Sequence, residues 1–113
     1  MATSKLSIRI DLANGTRFGP GKAALLKALA ATGSISAAAK QLGMSYPRAL
    51  KLIEQMNAAF KMAIVETQHG GKQGGGSVVT AAGHDLITLY ERILSRAENT
   101  NCDDLSAIAE LLK

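Results

Sequence analysis

Tryptophan is missing from these 113 residues, phenylalanine and tyrosine occur twice each, and cysteine once, at Cys102. A lone cysteine excludes an internal disulfide and a cysteine-rich metal framework, and it fits a reducing compartment. With so few aromatic rings, the core must come from Leu, Ile, Val, Met and Ala, which favours a small, mostly helical fold. No apolar run approaches the roughly 18 residues needed to span a bilayer, and the opening "MATSKLSIRIDL" alternates where a signal peptide would be continuously apolar. These absences predict a soluble cytoplasmic chain with no membrane association. His69 and His84 share no metal-ligand spacing with Cys102, and no nucleophile motif such as G-x-S-x-G is present. Neither a metal, a cofactor nor an enzymatic activity is therefore expected.

Charge is plentiful but uneven. Residues 1 to 80 hold ten Lys/Arg against three acids, whereas residues 81 to 113 hold three against six. A basic body with an acidic end points to a polyanionic partner for the body. The hydrophobic content of 47% in a chain of this length supports one domain.

The order of elements narrows the partner. "LSIRIDL" (6–12) alternates apolar Leu6, Ile8, Ile10 and Leu12 with polar residues, as a half-buried strand does, and "ANG" then turns it into the short return strand "TRFG". Pro20 and Gly33 bracket a helix whose stripe is Ala23, Leu25, Leu26, Leu29 and Ala30. Ser34 caps a two-turn helix with Ile35, Ala38, Ala39 and Leu42 inward, and Gly43 stops it. Ser45 caps the next helix, about 46–60, with Ala49, Leu52, Ile53, Met56 and Phe60 at helical spacing. "AIVET" and "SVVT" form a second hairpin around "HGGKQGGGS" (69–77). Thr80 caps a long helix with Leu86, Leu89, Tyr90, Ile93 and Ala97 as its stripe. A last short helix near Asp103 or Asp104 places Leu105, Ile108, Ala109 and Leu112 on one face.

Gly71-Lys72 does not make a nucleotide-phosphate loop. That motif needs G-x-x-x-x-G-K-[ST] between a strand and a helix. Here Gln73 follows Lys72, Glu66 stands five places before Gly71, and another strand comes next.

Hairpin, helix, short helix, glycine turn, basic-faced helix, hairpin and helix is the order of a winged helix-turn-helix, mostly α with small β-hairpins. Such a fold sends the N-terminal part of its second helix into the DNA major groove. The expected DNA-binding residues are Tyr46, Pro47, Arg48, Lys51 and Gln55 on that helix, and Ser34, Ser36 and Ser45 at helix starts. His69, Lys72 and Gln73 join them at the wing tip. The bland alternative is a solvated basic helix on a winged-helix protein-interaction module that binds no specific DNA.

"FGPGKAALLKALAATGSISAAAKQLGMSYPRALKLIEQMN" followed by "GGKQGGGSVVTAAG" resembles the N-terminal DNA-binding domain of the ModE family of molybdate-responsive regulators. It is more distantly similar to the LysR-type winged helix, in which T-x-x-G also ends the wing, here Thr80 to Gly83. The resemblance covers roughly residues 6 to 95. It implies a homodimer, paired through the first helix and the long helix after the wing, on a palindromic operator in double-stranded DNA. ModE-type sensors continue into oxyanion-binding domains, and the stretch after Asn99 is too short for one. Molybdate sensing is therefore not expected, and a stand-alone DNA-binding domain is: residues 1–98 as the winged helix-turn-helix with its dimerisation helix, and 99–113 as a short helical tail.

Overall fold

A computed structural model describes residues 4–68 and 76–113. Strand β1 (Ile10–Asp11) pairs antiparallel with β2 (Arg17–Phe18), and three helices follow, α1 (Pro20–Thr32), α2 (Ile35–Gln41) and α3 (Tyr46–Ala59). A second antiparallel pair, β3 (Val65–Gln68) with β4 (Gly76–Val79), leads into α4 (Ala81–Thr100) and α5 (Cys102–Glu110). This is the winged helix-turn-helix order expected from the sequence.

Local chemistry sets the boundaries. Pro20 opens α1, where a missing N–H costs nothing, and Gly33 closes it at φ 73°, donating its N–H to Leu29 O at 2.8 Å. Ser34, Ser45 and Thr80 each accept from a backbone N–H three residues on, those of Ala37, Arg48 and Gly83. Gly43, at φ 68°, makes the turn between α2 and α3.

The core gathers around α1, which is packed by α2, α3, α4, β2 and β4. Phe18, Leu25, Leu26, Leu29 and Met56 are fully buried there. Each apolar side chain so buried contributes about 1.5–3 kcal/mol. Phe18 meets Tyr90 of α4 edge to face, with ring centroids 5.2 Å apart.

Several sequence expectations shift. The strand expected over 6–12 is paired only at Ile10–Asp11 because its partner is two residues long. Its alternation nonetheless holds: Leu6, Ile8, Ile10 and Leu12 are half-buried, and Ser7, Arg9 and Asp11 are exposed. In α1 the buried face takes in Ala28 and leaves Ala30 exposed, because neighbours cover the helix on several sides. Leu42 sits at the C-cap of α2, beyond the buried turn, and is exposed. In α4 the inward residues are Gly83, Ile87 and Tyr90, while Leu89 and Ile93 face outward at 52% and 47% exposure. Helix α5 begins at Cys102 and carries Asp103 and Asp104 in its first turn, where the helix dipole favours acids; none of its residues is buried.

Candidate nucleic-acid interface

The N-terminal ends of α2 and α3 and the two wing strands meet around one cleft of about 430 Å³. It is lined by Ser34, Ile35, Ser36, Tyr46, Leu50, Thr67, Gln68, Gly76 and Ser77. A backbone hydrogen bond holds the wing here, from Ser77 N–H to Gly33 O at 3.0 Å. Gly76 lies so close that a Cβ on it would stand 3.3 Å from the same carbonyl oxygen. The turn that ends α1 and starts α2 is thereby fixed against β4.

Ser34 and Ser45 use a lone pair for capping, at 3.2 Å to Ala37 N–H and 3.3 Å to Arg48 N–H. A serine hydroxyl that accepts still has its proton to give. Both can therefore serve their helix and donate outward to an anion. Ser36 in the first turn of α2 is exposed, as are Tyr46 and Pro47 in the first turn of α3.

Arg48 and Lys51 are exposed on α3, and no ion pair engages either of them among the described residues. They lie one turn apart on the face opposite Ala49, Ile53 and Met56, the residues that anchor the helix in the core. The cationic groups are thus carried outward by the same periodicity that buries the apolar ones.

Of the residues expected from sequence, Ser34, Ser36 and Tyr46 line the cleft, and Ser45, Pro47, Arg48 and Lys51 stand on α3 and its cap. Gln55 does not join them. It lines a separate cleft at the far end of α3, with Asn14, Thr16, Arg17 and Lys22. His69, Lys72 and Gln73 lie outside the described residues. Sequence reasoning missed Thr67, Gln68 and Ser77, which reach the cleft from the wing. The signal for them is the hairpin pairing of β3 with β4, whose register sets Thr67 opposite Ser77 and Gln68 opposite Gly76.

Among the described residues, no group of three His, Cys, Asp or Glu side chains is placed to hold a metal ion, and no helix is long and apolar enough to cross a membrane.

Residues 22–84 match the family model described as bacterial regulatory helix-turn-helix protein, lysR family. The chain is 46% identical over 79 residues to the molybdenum-pterin-binding protein MopB of Rhodobacter capsulatus, covering 70% of this chain and 29% of MopB. It is 42% identical over 87 residues to the DNA-binding transcriptional dual regulator ModE of Escherichia coli (strain K12), covering 77% of this chain and 33% of ModE. The chain thus spans about a third of the length of these relatives. Among solved structures, the CbnR_DBD–DNA complex is similar at a TM-score of 0.58 and 26% identity, covering 78% of this chain and 95% of that one. Full-length CbnR with its target DNA is similar at a TM-score of 0.55 and 26% identity, over 74% of this chain and 27% of that one.

Proposed function

This chain belongs to the lysR family of bacterial regulatory helix-turn-helix proteins, and on that footing we propose that it is a cytoplasmic transcriptional regulator that binds double-stranded DNA sequence-specifically as a homodimer and catalyses no reaction. The observation that carries this is the convergence of the α2 and α3 N-termini and the wing around one cleft, with Arg48 and Lys51 exposed beside it. The helix starts supply N–H dipoles for phosphates, and α3 supplies side chains of the kind that read bases.

In this mechanism α3 enters the major groove by its first turns. Arg48 has the planar fork that bonds guanine bidentately, and Lys51, one turn on, meets bases or backbone. Ser34, Ser36 and Ser45 donate to phosphates and fix the register, and Tyr46 packs against the groove wall. His69, Lys72 and Gln73, which fall between β3 and β4 in the sequence, contact the flanking backbone. Two copies related by a two-fold axis present their α3 helices about 34–36 Å apart, one helical turn of DNA.

The test begins with selection of bound sequences from a random duplex pool, which returns a half-site and a spacing. Replacing Arg48 and Lys51 together by alanine should weaken binding to the selected duplex and flatten the dependence of log K on log salt by about 0.9 for each phosphate no longer neutralised. Unchanged affinity and slope in a folded double variant would defeat this assignment of α3. If the unchanged chain leaves random duplex DNA at every salt concentration, a protein-docking module is indicated instead.

A further inference from the structure

The second cleft, of about 660 Å³, opens at the C-terminal end of α3 and is lined by Asn14, Gly15, Thr16, Arg17, Lys22, Gln55, Ala58 and Ala59. Among the described residues, no carboxylate lines it. Its floor continues the outward stripe of α3, since Gln55 follows Lys51 by four residues and Ala58 and Ala59 follow Gln55 by three and four. Its wall is the β1–β2 turn, held to the helix by a hydrogen bond from Asn14 Nδ2 to Ala59 O at 2.9 Å. That bond also occupies one of the carbonyls that would otherwise repel an anion at a helix C-terminus.

Two cations are kept together at this place. The Lys22 ammonium donates to Arg17 O at 2.5 Å. Its pKa is lowered from the ordinary lysine value, first by burial and then by the Arg17 guanidinium beside it. Asp11 stands 3.0 Å from Arg9 Nε and 3.9 Å from Arg17 Nε, so its charge is spent mainly on Arg9. A fold that crowds two like charges without a carboxylate in the cleft gains from any anion that enters.

Helix length says which anion. The 14 residues of α3 extend about 21 Å at 1.5 Å per residue. The major groove is only about 12 Å wide. Where α3 crosses the groove with its first turns among the base edges, its last turn stands at the groove wall, where the phosphates run.

We propose that Arg17 and Lys22 form a second backbone clamp on DNA, gripping one or two phosphates at the groove edge opposite the wing, with Gln55 donating to the same strand. This rests on the DNA binding proposed above and extends the contact surface beyond the helix-turn-helix and wing to the first hairpin and the start of α1. Its contribution is to affinity and register and not to base choice, because phosphates carry no sequence.

The test uses the whole chain and the duplex obtained by selection. Arg17→Gln with Lys22→Gln should flatten the salt dependence by about 0.9–1.8 per bound chain, leave the ranking of operator sequences unchanged, and abolish interference by ethylated phosphates at the outer edge of the footprint. Lys113→Glu, which changes the net charge by the same amount at the far end of the chain, should leave slope and interference as they were. Arg17→Lys with Lys22→Arg, which keeps both charges, should retain the slope. If the unchanged chain binds and the glutamine pair matches it in slope and interference, the clamp is overturned while the proposed function stands. If the unchanged chain does not bind DNA, both fall. Should the glutamine pair fail to fold, Arg17→Gln alone, on an exposed side chain, gives the same reading with a smaller drop in slope.

Discussion

The carbonyl oxygen of Ile64 occupies the space beside Gly83 so fully that a Cβ built there would stand 2.5 Å from it, and 2.6 Å from Val79 Cγ1. The Thr80 hydroxyl meets the same segment, donating toward Ala63 O at 2.6 Å and Ile64 O at 3.1 Å while accepting from Gly83 N–H at 3.1 Å. Thr80 and Gly83 together weld the first turn of α4 to the base of the wing.

Gly83→Ala is therefore expected to destabilise the fold, although alanine in a helix is favoured over glycine by about 0.8–1.0 kcal/mol. The obstruction is backbone, which cannot swing away, and overpacking of this kind costs about 1–3 kcal/mol or more. Denaturant titration should show a net loss of up to about 2 kcal/mol after that gain is subtracted. A stabilised variant would mean that α4 lies farther from Ile64 than the structure has it.

How much of this is legible in the sequence follows from which interactions are local. Caps at Ser34, Ser45 and Thr80, the glycine stops at Gly33 and Gly43, and the outward Arg48 and Lys51 all depend on residues within four places of one another, and the structure has them where the sequence predicts. Interactions between distant segments leave weaker signals. Asn57 accepts from Ile64 N–H at 2.8 Å and Val65 N–H at 3.1 Å and donates to Val65 O at 3.0 Å, tying α3 to the wing. In the sequence it is one more polar residue on a helix. The cleft at Arg17 and Lys22 is hidden for the same reason, since it exists only once the first hairpin folds against the end of α3. The buried face of α4 departs from its expected stripe because the apolar residues of that helix face in two directions, and spacing alone does not separate a core face from an exposed one.

Tyr90 donates its hydroxyl to Ile8 O at 2.6 Å, pinning the N-terminal segment across α4. Tyr90→Phe keeps the edge-to-face contact with Phe18 and should cost about 0.5–1.5 kcal/mol for the missing hydrogen bond. A pH signature accompanies it. Burial raises the pKa of Tyr90 above the usual tyrosine value of 10.0. Its contribution to stability is thus complete below that value and is lost as pH climbs toward the folded-state pKa, because the unfolded chain releases the proton first. The stability of the unchanged chain should fall more steeply than that of Tyr90→Phe in alkaline denaturation series. Parallel curves would show that burial does not raise the Tyr90 pKa in the folded chain.

Leu89 and Ile93 project from α4 one turn apart, and at the helix's start their stripe runs into an apolar groove of about 240 Å³ lined by Phe60, Lys61, Met62, Ile64, Ala82, Asp85, Leu86 and Leu89. Met62, at 60% exposure, stands at its rim. For the homodimer proposed above, this exposed apolar face suits a self-complementary two-fold interface. Since neither Leu89 nor Ile93 is buried, Leu89→Glu with Ile93→Glu should leave the fold of each chain intact while placing four carboxylates in a desolvated contact between two copies. The dimer dissociation constant should rise at least about 100-fold, a change of roughly 2.8 kcal/mol. Sedimentation should then report a monomer whose melting temperature no longer depends on concentration. On a two-half-site duplex the variant should bind each half independently, with a salt slope about half that of the unchanged chain, because each binding event then releases the counterions of a single half-site. A double variant that still sediments as a dimer would move the interface elsewhere, to the other faces of α4 or to the exposed Ile108 of α5 and Leu112 beyond it.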